Sequence, residues 1–262
     1  MFNKFWGLCA VVALSATVAY ADEVNNKVSS KLIKEPTSGI ELVYVKGGCY
    51  QMGDIYGDGI PDEPERPVHK VCVDNFFIGK FEVTQGQWKL VMGNNPSHNS
   101  NCGDNCPVEN VSWNDVQDFI GKLNSKDGGD KYRLPTEAEF EFAQRSGGKS
   151  ERYSGGNDVN SVAWYISNSG QTTHPVGTKV PNGLGIYDMS GNVWELVNDW
   201  YGSDYFANSP SNNPSGPISG VYRVKRGGCV TGTPDNQRVS RRDYVEPGVP
   251  GFFTGFRILK KL

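Results

Sequence analysis

Residues 183–201 pack three large aromatics, Trp194, Trp200 and Tyr201, among five acidic or amide groups, Asp188, Asn192, Glu195, Asn198 and Asp199. The aromatics carry too much apolar area to stay in water. A polar group that follows them inward must be hydrogen-bonded, paired or bound to a metal. Asp188, Ser190, Gly191 and Asn192 add a turn. The stretch is therefore either a tight structural knot or the floor of a site, and the remaining chain has to fold around it.

The 262 residues fit one or two domains. Residues 1–21 have the form of a secretory signal: Lys4 at the start, an apolar run over 8–18, and Ala19-Tyr20-Ala21 as the cleavage site. The run is short of the ~20 apolar residues needed to span a bilayer. Cys9 follows a poor lipobox, so no lipid anchor is read. Export to the periplasm or beyond is expected, with no transmembrane segment in the mature chain. Residues 22–38 read as a linker and 39–262 as one domain. With 26 Lys and Arg against 29 Asp and Glu, the basic excess of a nucleic-acid binder is missing. A monomer with a protein or small-molecule ligand outside the cytoplasm is expected.

In an oxidising compartment cysteines pair. Cys102 and Cys106 can close a small loop, and Cys49 and Cys72 sit in strand-like runs that a bridge can join. The rival reading of Cys102 and Cys106, zinc, needs four ligands and finds no second pair. Cys229 is left over as a candidate free thiol.

Residues 40–45 alternate as a strand, and 69–77 read as its return. Thr84 with Gln87, Ser112 with Asp115 and Thr136 with Glu139 have the spacing of helix N-terminal capping boxes. Helices are expected over 84–93, from 112 onward and over 136–145, with Arg133 as ion-pair partner for the acids of the third. Glu139 and Glu141 are two apart and do not share a helix face, so they read as structural. Short strands and turns fill the rest. The fold class is α+β, a single loop-rich domain.

Only His69, His98 and His174 are present, and no zinc-protease motif, nucleophile elbow or phosphate loop occurs. Five motifs stand in order: Gly79-Lys-Phe-Glu-Val-Thr84, Tyr132-Arg-Leu-Pro-Thr-Glu-Ala-Glu-Phe-Glu-Phe-Ala143, Gly191-Asn-Val-Trp-Glu195, Val224-Lys-Arg-Gly-Gly228 and Gly255-Phe-Arg257. Together they resemble the formylglycine-generating enzyme, or sulfatase-modifying factor, family. The resemblance implies an elaborated C-type-lectin fold and a structural calcium ion at Asn192 and Glu195. It also implies two copper-binding cysteines shortly after Arg-Gly-Gly. Those positions fall near Gly232 and Gln237, and Cys229 is the one thiol nearby. Copper(I) wants soft thiolates, so a two-thiolate copper site cannot be built here, and oxidase activity does not transfer with the fold.

Two branches of the family lack the thiol pair. Exported relatives act in siderophore maturation. Variable proteins of diversity-generating retroelements display a diversified segment between Arg-Gly-Gly and Gly-Phe-Arg. Here that segment offers Val230, Thr231, Thr233, Arg238, Arg241, Asp243, Tyr244, Val249, Phe252 and Phe253 as candidate ligand-binding residues. Its aromatics are rigid anchors among small, adaptable residues, as in paratopes, and its arginines suit acidic ligand groups. Non-catalytic ligand binding is the first expectation; an oxidoreductase or maturation enzyme acting on a secreted peptide or sulfatase is the alternative.

Overall fold

A computed structural model describes residues 32–59 and 64–262. The signal sequence expected at 1–21 lies outside the described residues. Strands β1 (Leu32–Lys34), β2 (Glu41–Val45), β5 (Phe76–Gly79), β11 (Leu259–Lys260) and β6 (Tyr132–Arg133) form one sheet in that spatial order. A second has the order β10 (Thr254–Gly255), β7 (Trp194–Trp200), β8 (Arg223–Arg226), β9 (Arg242–Val245). β3 (Gly48–Met52) and β4 (His69–Val73) make a separate ribbon. The architecture is α+β.

Three helices follow the capping boxes. α1 (Gln85–Met92), α2 (Trp113–Asp127) and α3 (Glu137–Gln144) start at Thr84, Ser112 and Thr136, whose side chains accept from the backbone three residues on. Left-handed Gly93 and Gly128 end the first two. Single turns α4 (Val159–Val162) and α5 (Tyr205–Asn208) punctuate the irregular half. One apolar core gathers Phe140, Phe142, Ile78 and Phe206; the other gathers Trp88, Phe119 and Phe256. Phe256 sits 5.2 Å from the Phe119 ring and closes that core.

Two readings need correction. Residues 32–38 are not a linker. Leu32, Ile33 and Lys34 pair with β2, and buried Glu35 accepts from Thr37 N, Ser38 N and the Ser38 hydroxyl, closing a turn back into that strand. Residues 69–77 are not one return strand either. The chain breaks at Asp74–Asn75, where Asn75 accepts from Gly47 N. β4 returns along β3, and β5 pairs with β2.

Helix α3 is buried on every side, carboxylates included. Glu141 accepts from Arg145 Nε at 2.8 Å, Arg226 Nη2 at 2.5 Å and Gly53 N at 2.9 Å. Glu137 receives both faces of the Arg242 fork at 2.6 and 2.8 Å. Arg133 grips Glu139 the same way. Each of these three carboxylates has an arginine partner, which offsets the cost of burying it. This lattice joins α3 to the second sheet.

Cys49 and Cys72 face each other across β3 and β4 and are bonded; Cys102 and Cys106 are bonded four residues apart. Cys229 is a buried free thiol. No helix among the described residues is long and apolar enough to cross a membrane.

Candidate functional site

The stretch after Gly183 folds as a knot with a polar centre. Asp188 and Asn192 take left-handed backbone conformations, at φ 57° and 61°, which short polar side chains tolerate. Gly191 is obligatory: a Cβ there would lie 2.5 Å from the Trp164 carbonyl oxygen. The turn aims Asn192 inward, where its Nδ2 donates to Glu82 Oε2 at 2.7 Å and its Oδ1 accepts from His174 N at 3.0 Å. β7 then places Glu195 against Arg257, which donates from Nε and Nη2 to the two carboxylate oxygens, both at 2.6 Å. Arg257 also donates to Gly79 O and Tyr187 O.

Three carboxylates, Glu82, Asp188 and Glu195, share this one guanidinium. Burial pushes all three upward. For Glu82, neighbouring Asp188 and Glu195 add to the rise, while Arg257 and the Asn192 amide oppose it. Asp188 reaches about 6, with the hydrogen bond from Gly177 N and the Arg257 charge pulling the other way. Glu195 is held down most by Arg257. Asn192 and Glu195 do not fit a calcium ion. Both Glu195 oxygens face a cation already, and the Asn192 oxygen is engaged by a backbone N–H.

The segment after β8 opens with Gly227 and Gly228, both at positive φ. A Cβ on Gly228 would meet Gln237 Oε1 at 2.2 Å, and one on Gly232 would meet Gln237 Nε2 at 2.7 Å. Positions 232 and 237, where the resemblance puts a thiol pair, are thus neighbours in space. The Gln237 amide fills the gap between them, donating to Cys229 O at 3.2 Å and Thr233 O at 3.1 Å. The Cys229 sulfur lies 3.3 Å from the Thr231 hydroxyl. A copper ion needing two thiolates does not fit this donor set.

Not all of the candidate binding residues reach the surface. Val230 is fully buried, and Arg238 is 2% exposed, so neither is open to a ligand. Val230 donates its N–H to Asn192 O and packs into the knot. Arg238 is bound to Glu65 at 2.7 and 3.1 Å and to Asp235 at 2.7 Å. The others fall into three groups. Thr231 and Thr233 lead into the 3₁₀ turn Pro234–Gln237, and Arg241 points toward Glu65 at 3.7 Å. Asp243 and Tyr244 lie on edge strand β9, with Asp243 paired to Lys225 at 3.1 Å. Val249, Phe252 and Phe253 lie on a loop tied to 111–114 by Asn114 N→Pro247 O and Gly251 N→Val111 O. Phe252 is 67% exposed, its ring 5.4 Å from that of His98. Phe253 holds φ 52°, and its carbonyl accepts from Trp194 N.

Sequence reasoning missed two neighbours of this surface. Tyr244 packs against Tyr201 at 4.5 Å and Tyr222 at 4.8 Å, in tilted ring contacts. Arg223 is sandwiched between Trp113 and Trp200, at 3.8 and 3.5 Å from their centroids. Tyr222 precedes β8 and Arg223 opens it, and nothing local in the sequence names their partners.

Residues 28–262 match the profile of the sulfatase-modifying factor enzyme 1-like domain. The chain is 31% identical over 283 aligned positions to the serine/threonine-protein kinase pkn1 of Chlamydia caviae, covering 93% of this chain but 44% of the relative. It therefore spans less than half of that protein. It is 29% identical to the formylglycine-generating enzyme of Streptomyces coelicolor, covering 85% and 90% of the two chains. Treponema denticola variable protein 1 superposes with a TM-score of 0.80 at 31% identity, covering 88% of this chain and 99% of that one.

Proposed function

The chain belongs to the sulfatase-modifying factor enzyme 1-like family, and we propose that it uses the scaffold without catalysis, as an exported binding protein. The observation that carries this reading is Gln237. Its amide occupies the gap beside Gly232 where an oxidase of this family would need two thiolates, and Cys229 is the one free cysteine among the described residues. Copper chemistry on a substrate cysteine has no donors there. The 0.80 TM-score with a protein called variable protein 1 supports the same reading from the side of shape.

The partner-reading surface is drawn from what the segment exposes: Thr231, Thr233, Arg241, Asp243, Tyr244, Val249, Phe252 and Phe253. Rigid aromatics on ordered backbone give contact area at low entropic cost. Buried Arg238 and Arg242 pin the same segment to Glu65 and Glu137. Side chains on its outside can therefore change while the frame holds. Two disulfides support a place outside the cytoplasm.

The DNA beside the gene tests the display reading. A near-identical repeat of the 3′ end, differing where the template has adenines and lying next to a reverse transcriptase, is the expected arrangement. A sulfatase or siderophore cluster in its place would favour a maturation enzyme.

A further inference from the structure

We propose that the clustered tyrosines Tyr201, Tyr222 and Tyr244 are the contact centre for a protein segment that presents lysine or arginine side chains. This rests on the binding reading above and names the chemistry of the partner.

The cluster is built at the junction of three elements. Tyr201 follows β7 and donates its N–H to Tyr222 O, Tyr222 precedes β8, and Tyr244 lies on β9, the edge of its sheet. Tyr244 contacts both other rings, tilted at 39° and 46°. Tyr222 and Tyr244 remain 37% and 45% exposed. None of the three hydroxyls has a hydrogen-bond partner among the described residues, whereas those of Tyr50, Tyr132 and Tyr165 are all bonded. Val221 and Ile218, on the adjoining loop, are open to solvent. Exposed apolar and aromatic side chains gathered in one stretch are what interaction surfaces present. Tyrosine, with a flat ring and a polar tip, is the residue interfaces favour.

Charge selects the occupant. From 199 to 222 and from 243 to 256 the chain carries Asp199, Asp204, Asp243 and Glu246 and not one lysine or arginine. Asp199 is buried and accepts from Glu137 N, and Asp243 is paired with Lys225. Asp204 and Glu246 are exposed and have no ion pair among the described residues. The nearest guanidiniums are spoken for: Arg242, 5.2 Å from the Tyr201 ring, is buried against Glu137, and Arg223 lies between two indoles. Arg242 already lies over the Tyr201 ring, so the patch offers a new cation the faces of Tyr222 and Tyr244, with carboxylates along the same segments. A lysine or arginine laid on a tyrosine face is attracted by the ring quadrupole, and exposed Asp204 and Glu246, close along the chain to Tyr201 and Tyr244, add to that attraction and disfavour acidic partners.

The test uses the disulfide-intact protein and two capped pentapeptides, Gly-Lys-Leu-Arg-Gly and Gly-Glu-Leu-Asp-Gly, titrated by NMR at physiological ionic strength. The basic peptide should shift the ring signals of Tyr222 and Tyr244, and the acidic one should not. Tyr244→Ala should weaken the basic peptide about three- to fivefold, and Tyr244→Phe by less than about twofold. Glu246→Gln should weaken it as well, and thermal melts check that each variant is folded. Equal binding of the acidic peptide, no shift with the basic one, or indifference to Tyr244→Ala would overturn the proposal. If Phe252→Ala weakens binding in place of Tyr244→Ala, the C-terminal segment still binds and only the tyrosine assignment fails.

Discussion

Arg257 donates to both carboxylate oxygens of Glu195 at 2.6 Å, in a place where neither side chain touches water. That pair occupies the position where a calcium ion was expected, so the centre of the knot is a salt bridge. Removing one partner leaves the other charged and buried, at a cost of about 3–5 kcal/mol. Glu195→Gln should lose that much stability in urea unfolding. Calcium or a chelator should leave the melting temperature of the native protein unchanged, and a rise with calcium would restore a metal to this site.

Asp188 makes a pH signature. Burial lifts its carboxyl to about 6, above the ~3.9 of an unfolded chain. The folded state therefore holds the proton more tightly. The stability this contributes is fully present below the unfolded value and is lost as pH rises through about 6. Asp188→Asn keeps an oxygen for Gly177 N, tolerates the left-handed backbone and removes the charge. It should be more stable than the parent at pH 7, by roughly 1–3 kcal/mol. The gap should close toward pH 4, and a gap independent of pH would contradict the assignment.

The cysteines predict a peptide map. Non-reducing digestion should return Cys49 with Cys72 and Cys102 with Cys106, and label Cys229 only after unfolding, because the thiol is 5% exposed. Bridging residues 23 apart constrains the unfolded chain by about 3 kcal/mol, so Cys49→Ser with Cys72→Ser should lower stability by that order. A bridge containing Cys229 would overturn the map.

How much was readable follows from the range of each interaction. The helices after Thr84, Ser112 and Thr136 were legible because a capping box closes over three residues. The Arg133–Glu139 pair was legible for the same reason, its partners being six apart. Arg238 was misplaced as a surface ligand residue because its partner, Glu65, stands 173 residues away and only the fold brings it near. Val230 follows two glycines in a turn-like context and looked like loop, yet the turn points it into the knot. β1 has three residues, too few for a period, and its pairing with β2 is visible only in space. The tyrosine cluster escaped for that reason too, with Tyr201, Tyr222 and Tyr244 on three separate elements.

Gln237 and Gly232 stand where the family resemblance puts two thiolates, and the proposed binding role requires that the oxidase chemistry be absent. Copper-loaded protein, incubated aerobically with a Cys-x-Pro-x-Arg peptide, should return the peptide unchanged in mass spectrometry. Formylglycine in the product would contradict the account.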